Sequence, residues 1–255
     1  MRIRLLDSAF GSGNRRLQYA TTFLVNDTLA IDSGSLGFWA TADDQARVRN
    51  VIITHTHADH VASLPVFVEN AYVPGRPPTC IWGSDHVLTC LREDLFNDRV
   101  FPNLLALPTP DAPFATLSRL AAETPIEIDG IRVTAVPIAH TVPTFAIVLE
   151  SNGTGVAIVS DTAPTNRIWE VLNELPHLDA VYLEVTFPNA MAELARVSCH
   201  LTPRQFRAEL RKLHRPAQII AVHLKARYHD EVAAEVRDLD IEHVRIAEPM
   251  REDVW

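Results

Sequence analysis

The residues of this chain best suited to chemistry are imidazoles and carboxylates that recur in a fixed order. Four of them fall within six positions, in the run Val51-Ile52-Ile53-Thr54-His55-Thr56-His57-Ala58-Asp59-His60. Further candidates follow at His140, Asp161 and His223. Because histidine and aspartate are common ligands of divalent metals, this ordered set predicts a centre that holds two metal ions.

The first part of the run is apolar and β-branched, which is typical of a buried strand. The polar residues would then lie in the turn beyond the carboxyl end of that strand. The spacing assigns one metal to His55, His57 and His140 and the other to Asp59, His60 and His223, with Asp161 as the bridge. An imidazole-rich ligand set favours zinc, with manganese and iron as alternatives. Simpler roles are a helix-capping Asp161 and structural histidines at His140 and His223.

Composition restricts the partners of the protein. The 255 residues include 23 basic and 32 acidic side chains, for a formal net charge of -9. This charge argues against a long nucleic acid, because phosphate backbones are bound by clustered lysine and arginine. The three cysteines lack metal-binding spacing, and the start at Met1-Arg2-Ile3-Arg4 lacks a secretory pattern. No apolar run is long enough to span a membrane. We therefore predict a soluble cytoplasmic protein with no membrane partner.

The chain alternates short strand patterns with helical ones, which is typical of layered α/β folds. Helices are predicted over Val61 to Asn70, Ser84 to Phe96 and Pro203 to Leu213, among others. We predict one domain over residues 1–255, with a proline-rich insertion at about 72–124 that covers the site. Its aromatic residues suit a nucleobase platform, a dimer contact or the core; they are Trp82, Phe96, Phe101 and Phe114.

One ordered set of motifs resembles the metallo-β-lactamase superfamily. It consists of His55-Thr56-His57-Ala58-Asp59-His60, followed by His140, by Ser160-Asp161-Thr162 and by His223. The strand and turn at Ile31-Asp32-Ser33-Gly34 also resemble the start of that family. The resemblance implies a four-layer αββα sandwich, in which two sheets face each other, helices lie outside, and the dinuclear site lies along one edge. Asp32 is expected to support the turn or a histidine rather than a metal.

Later segments are similar to the phosphodiesterase branch of this superfamily, which includes tRNase Z and the class II 3',5'-cyclic nucleotide phosphodiesterases. They are Leu183-Glu184-Val185-Thr186-Phe187-Pro188-Asn189, Cys199-His200-Leu201-Thr202-Pro203 and Ala221-Val222-His223-Leu224-Lys225-Ala226-Arg227-Tyr228. The resemblance implies that His200 protonates the leaving 3'-oxygen and that Glu184 orients its ring. Asp59 counts as catalytic as well as a ligand, and the expected substrate contacts are Lys225, Arg227 and Tyr228. The resemblance also makes a homodimer the expected assembly.

The sequence therefore predicts a dinuclear metal-dependent phosphodiesterase that hydrolyses 3',5'-cyclic nucleotides, cAMP or cGMP, to nucleoside 5'-monophosphates. Three features favour this substrate over tRNA: the turn at Phe187-Pro188-Asn189, the segment His200-Leu201-Thr202-Pro203 and the lack of a basic arm. The alternatives are RNA 3'-processing in the manner of tRNase Z, another small phosphodiester as substrate, and a non-catalytic cyclic nucleotide-binding module.

Overall fold

The protein is built around two seven-stranded sheets, as seen in a computed structural model that describes residues 1–11 and 13–255. Apolar side chains from both sheets form one shared core, in which Phe23 of the first sheet meets Tyr182 of the second at a ring separation of 5.4 Å. Each sheet also buries its outer face against helices. The four-layer αββα sandwich predicted from the resemblance is confirmed.

The first sheet mixes antiparallel strands with a parallel half. Its strands are β1 (Arg2–Leu5), β2 (Phe23–Val25), β3 (Leu29–Ile31), β4 (Asn50–Ile52), β5 (Thr79–Gly83), β8 (Ala115–Arg119) and β16 (Glu252–Val254). They lie in the order β16-β1-β2-β3-β4-β5-β8, and the pairs from β3 to β8 are parallel. The short strands β6 (Pro108–Thr109) and β7 (Ala112–Pro113) form a separate two-stranded pair.

The second sheet follows the same plan. Its strands are β9 (Ile126–Ile128), β10 (Ile131–Ile138), β11 (Thr144–Ser151), β12 (Thr154–Val159), β13 (Ala180–Glu184), β14 (Gln218–Val222) and β15 (Val244–Ile246). They lie in the order β15-β14-β13-β12-β11-β10-β9, with parallel pairing from β12 to β15. These parallel strands are apolar on both faces, as expected for strands covered by the core on one side and helices on the other.

The helices complete the outer layers. They are α1 (Ala42–Gln45), α2 (Ala58–Val61), α3 (Leu64–Ala71), α4 (Asp85–Cys90), α5 (Arg167–Glu174), α6 (Ala192–Ser198), α7 (Pro203–Leu210) and α8 (His229–Arg237). A π-helical turn, Leu91–Leu95, continues α4. Side chains of α3 and α4 pack on the first sheet, and those of α5, α7 and α8 pack on the second. Among the described residues, no helix combines the length and the apolar character needed to cross a bilayer.

The helix predicted over Val61 to Asn70 begins only at Leu64, as α3, and Val61 is instead the last residue of α2. Pro65 lies in the first turn of α3. A continuous helix would need a hydrogen bond from the nitrogen of residue 65 to the carbonyl of Val61, and proline has no N–H to donate. The chain therefore ends α2 at Val61 and starts again at Leu64, which leaves His60 on the short first helix.

Residues 72–124 contribute more regular structure than a proline-rich insertion would. Both β5 and β8 come from this segment and pair in parallel within the first sheet. Only the connection between these strands is thus free to act as an insertion. Its aromatic residues favour the core alternative, since Phe96 is buried and Phe101 and Phe114 pack against the same apolar cluster. The idea that this connection covers the site remains a prediction.

Candidate functional site

The polar residues singled out in the sequence meet at the carboxyl ends of strands from both sheets. His55, His57, Asp59 and His60 follow β4 of the first sheet, whereas His140, Asp161 and His223 follow β10, β12 and β14 of the second. Parallel strands point their carboxyl ends toward the same sheet edge, which is where polar sites form in such folds. Residues distant in the chain therefore converge on one rim of the sandwich.

Among the described residues, three groups of potential metal ligands lie at this rim; two of them overlap at Asp161, and the third contains Glu184, His200 and His223. The first contains His55, His57, His140 and Asp161, whose ligand atoms all lie within 4.8 Å of one another. His57 Nδ1 lies 3.1 Å from His140 Nε2, and Asp161 Oδ2 lies 3.7 Å from His55 Nε2. Separations of this size suit atoms that surround a common centre.

The second group contains Asp59, His60, His223 and again Asp161. His223 Nε2 lies 3.3 Å from Asp59 Oδ2 and 3.4 Å from Asp161 Oδ1. His60 Nε2 lies 3.3 Å from the other oxygen of Asp161. Asp161 thus presents one carboxylate to both groups, which is the position required of a bridging ligand.

Whether these residues fit metal ions can be tested on their unpaired atoms. His55 Nε2 and His60 Nε2 are buried and have no partner with hydrogen-bond geometry among the described residues. Leaving such an atom unpaired costs about 1–3 kcal/mol, so native proteins rarely tolerate it. Both atoms face the carboxylate of Asp161. A set of five imidazoles and two carboxylates, in which two inward nitrogens have no hydrogen-bond partner among the described residues, is compatible with two divalent metal ions.

The outward Nδ1 atom of most of these rings has a partner of its own. His60 Nδ1 donates to Asp32 Oδ2 at 2.7 Å, His140 Nδ1 donates to the Cys199 carbonyl at 3.0 Å, and His55 Nδ1 lies 3.0 Å from Thr54 Oγ1. Hydrogen bonds at Nδ1 fix the tautomer and direct the Nε2 lone pair to the centre. Asp32 acts on a histidine, as expected from the sequence.

Electrostatics at the site follow from burial and from the central carboxylate. Burial lowers the pKa of His55 to about 2, so this ring is neutral and its lone pair is free. Burial would also lower the pKa of His60, but Asp161 and Asp32 outweigh it and hold that pKa well above its ordinary value. A cation that binds at His60 must therefore displace a proton.

Glu184 and His200 form a hydrogen-bonded pair beside the second group. His200 Nδ1 donates to Glu184 Oε1 at 2.8 Å, and the ring of His200 stacks on that of His223 at 5.4 Å with an interplanar angle of 17°. Glu184 is fully buried and also accepts the backbone N–H groups of Thr162 and Leu201. Burial alone would lower the pKa of His200, but the charge and hydrogen bond of Glu184 raise it.

The three expected substrate contacts lie on the turn after His223. Lys225 Nζ lies 2.9 Å from Asp59 Oδ2, so its charge reaches the second group. Tyr228 is half-buried beside the ring of Phe187. Arg227 is exposed, and among the described residues it has no hydrogen bond or ion pair to the site. Of the three residues, only Lys225 is in contact with a member of the two ligand groups.

Sequence reasoning missed several residues that hold the site together. Thr54 donates its hydroxyl to Asp32, Thr186 contacts Glu184 and His223, and Gln18 Oε1 accepts the backbone N–H of His223 at 2.7 Å. Thr186 is two residues from Glu184 and so lies on the same side of an extended chain. That spacing was the one available signal, whereas Gln18 gives none.

Comparison with known proteins identifies the family. A model of the β-lactamase superfamily domain matches residues 36–224. The chain belongs to the metallo-β-lactamase superfamily. Ribonuclease Z from Methanococcus maripaludis strain C6 is 24% identical, over 81% of this chain and 82% of that protein.

Solved structures support the same fold. Unliganded yeast PDE1 superposes with a TM-score of 0.78 and 16% identity, over 98% of each chain. The short form of human tRNase Z superposes with a TM-score of 0.68 and 17% identity, over 100% of this chain and 99% of that one. At these identities the similarity concerns architecture, and the function has to be argued from the site.

Proposed function

We propose that this protein is a metal-dependent phosphodiesterase that hydrolyses 3',5'-cyclic nucleotides to nucleoside 5'-monophosphates. The observation that carries the proposal is the Glu184–His200 pair, which lies against His223 at the edge of the two ligand groups. Simple metal storage would not require a buried carboxylate hydrogen-bonded to a second imidazole. Cleavage of an ester to an alcohol does need a proton donor, which such a pair provides.

The ligand groups would hold one ion between His55, His57 and His140 and another between Asp59, His60 and His223, with Asp161 shared. We propose zinc for both, with manganese and iron as alternatives, because the donors are mainly imidazole nitrogens. When bound, two divalent ions supply Lewis acidity that activates water and offsets the negative charge of a phosphoryl group.

The part of the reaction assigned to the protein's own side chains is proton transfer. The Nδ1–H of His200 is held by Glu184, so the ring presents Nε2 to a leaving group. Since Glu184 raises the pKa of His200, the ring retains a proton at Nε2 that it gives to the 3'-oxygen as the ester bond breaks. Glu184 stabilises the charged ring before transfer. Asp59 serves as a ligand, and its contact with Lys225 brings a positive charge to where a phosphate would lie.

Substrate contacts are proposed for Lys225, Arg227 and Tyr228, which share one turn beside the proton donor. A small anionic substrate agrees with the net charge of -9, which disfavours a long polyanion. A homodimer and a cytoplasmic location are further predictions of the same proposal.

RNA 3'-processing is the second candidate function. It is favoured by the similarity to Ribonuclease Z, because that relative is aligned over most of both chains. The same ligand groups and the same pair could serve either phosphodiester. The difference between the candidates is the size of the substrate, not the chemistry of the bond.

The decisive experiment is an assay of purified protein with cyclic AMP, cyclic GMP and a precursor tRNA, each with and without a chelator. We expect chelator-sensitive release of 5'-monophosphates from a cyclic nucleotide, and His200→Ala should abolish most of it. Cleavage of precursor tRNA alone would establish the second candidate. Tight nucleotide binding without turnover, unchanged in His200→Ala, would instead indicate a non-catalytic binding module.

A further inference from the structure

The hydroxyl of Thr186 lies at a junction between the ligand groups and the proton-donor pair. Its Oγ1 atom lies 2.7 Å from Glu184 Oε2, 2.9 Å from His223 Nδ1 and 3.2 Å from His200 Nδ1. Thr186 is fully buried, so water does not compete for these contacts. One hydroxyl therefore touches a candidate metal ligand and both members of the pair.

The single proton of this hydroxyl can be assigned from its neighbours. Glu184 already accepts N–H groups from His200, Thr162 and Leu201, so it acts as an acceptor toward Thr186 as well. Thr186 then donates to Glu184 and offers its lone pairs to a donor. That donor is His223 Nδ1, because His200 Nδ1 is held at the shorter distance by Glu184.

This assignment fixes the tautomer of His223. With a proton on Nδ1, the ring has its lone pair on Nε2, which is the atom facing Asp59 and Asp161. The other tautomer would point an N–H into the ligand group and leave Nδ1 and the hydroxyl without complementary roles. The position of Thr186 is itself fixed by backbone hydrogen bonds, since its N–H donates to the Leu201 carbonyl and its carbonyl accepts from Lys225.

We propose that Thr186 is a positioning residue that sets the tautomer and ring orientation of His223, and so makes the second metal site competent. Through the same hydroxyl, Glu184 supports that site as well as His200. The inference deepens the proposed function, on which the role of His200 rests. The part of the inference that concerns metal binding at His223 depends only on the contacts of Thr186.

The test is zinc titration of Thr186→Val, which removes the hydroxyl and keeps the shape of the side chain. We expect one zinc ion to bind as in the wild type and the second to bind about 10- to 100-fold more weakly, because partners of ligating histidines have effects of that size. Thr186→Ser, which retains the hydroxyl, should restore both. Thr144→Val is the matched control, since Thr144 is also buried but, among the described residues, its hydroxyl donates only to the Val142 carbonyl.

Equal binding of both ions by Thr186→Val and the wild type would overturn the inference. Equal weakening of both ions in Thr186→Val, with Thr186→Ser no better, would point to general damage and would also count against it. A readout independent of any mutant is the ¹⁵N NMR spectrum of the His223 ring in the wild-type protein. We expect Nδ1 to carry a proton, and an Nδ1 without a proton would refute the assignment even if Thr186→Val fails to fold.

These measurements need no nucleotide, so they separate the inference from the proposed function. Site-selective weakening of zinc without cyclic nucleotide turnover would count against the substrate and leave the role of Thr186 intact. Turnover of a cyclic nucleotide, together with unchanged zinc binding in Thr186→Val, would support the substrate and count against the role of Thr186.

Discussion

At the scale of single residues, the site is specified by the partners of its imidazoles as much as by the imidazoles themselves. Asp32, Thr54, Thr186 and the Cys199 carbonyl each bond one Nδ1 atom. These contacts leave Nε2 atoms directed at Asp161. A histidine without such a partner could rotate or change tautomer, and the inward lone pair would be lost.

The split between ligands and proton donor predicts different defects for two alanine variants. Asp161→Ala removes the carboxylate shared by both groups, so metal and activity should be lost together. His200→Ala should retain both metals and lose about 10²- to 10⁴-fold in rate, the usual contribution of a general acid. Metal content measured by mass spectrometry beside kcat would check this. Equal loss of metal in both variants would contradict the split.

The pKa of His200 predicts the pH dependence of the reaction. Burial lowers this pKa, but Glu184 raises it by more, so the folded protein keeps His200 protonated to higher pH than an ordinary histidine. The rate should therefore fall as pH rises through this raised pKa, when the acid is lost. Glu184→Gln removes the charge, and the alkaline limb of kcat against pH should move to lower pH. An unmoved limb would exclude His200 as the titrating acid.

Much of the residue-level site could be predicted from the sequence, because metal ligands come in dense and chemically distinctive patterns. His55, His57, Asp59 and His60 fall within six positions, and the structure brings them together with the distant His140, Asp161 and His223. Thr54 and Gln18 could not be predicted. Threonine and glutamine are common on surfaces, and nothing in the sequence near Gln18 indicates that it will meet His223.

At the scale of elements, the turn after β3 packs against the backbone of Asp59 in α2. Gly34 lies in this turn, and a Cβ atom there would overlap the Asp59 carbonyl oxygen and the backbone of Thr21. The backbone of Asp59 is also held by a 2.8 Å hydrogen bond from Thr21 N. Close approach of these backbones thus sets the position of Asp59.

Gly34→Ala should destabilise the fold by roughly 1–3 kcal/mol and also weaken metal binding, because the overlap forces the Asp59 backbone to move. Gly155→Ala is the matched control. A Cβ there would overlap the His177 carbonyl near the start of β12, at the other end of that strand from Asp161. Urea unfolding and zinc titration should show two destabilised proteins of which only Gly34→Ala loses zinc affinity. Loss of zinc affinity in both would argue against a local effect.

Helix capping supplies a second prediction at this scale. Thr202 caps α7 through a capping box with Gln205, and it follows His200 by two residues. Thr41 makes the same arrangement with Asp44 at α1. Each cap should contribute about 1 kcal/mol, so Thr202→Ala and Thr41→Ala should lower stability alike. Only Thr202→Ala should also reduce kcat, because the turn that carries His200 loosens. Equal activity in both variants would show that the cap does not position the ring.

Element boundaries were predictable where a single residue decides them and less so elsewhere. Pro203 starts α7 as predicted, since proline suits the first turn of a helix. Pro65 likewise lies in the first turn of α3, so the helix predicted from Val61 begins at Leu64 instead. The strands β5 and β8 were hidden within residues 72–124 because proline-rich flanks obscure short strands. Pairing with a sheet, rather than local preference, makes them strands.

At the scale of the whole molecule, net charge distinguishes the two candidate substrates. A precursor tRNA would displace counterions on binding, so its affinity should fall steeply with salt. A cyclic nucleotide carries one phosphate and should bind with weak salt dependence. We therefore expect KM for a cyclic nucleotide to change little between about 50 and 200 mM salt, a range that costs polyphosphate binders several orders of magnitude. A steep rise in KM would indicate a longer polyanion.

The two ligand groups draw on both halves of the sandwich, with His55, His57, Asp59 and His60 from one sheet and His140, Asp161 and His223 from the other. Bound ions would consequently join two layers that are also held together by the shared apolar core and by polar contacts such as the hydrogen bond from the Tyr182 hydroxyl to Asp253. Zinc at 100 times its dissociation constant should add about 2.7 kcal/mol to the free energy of unfolding. Removal of the metal by a chelator should thus lower the melting temperature as well as abolish activity. In the chelated protein, the rim of the sandwich should be the first region to exchange its amide hydrogens.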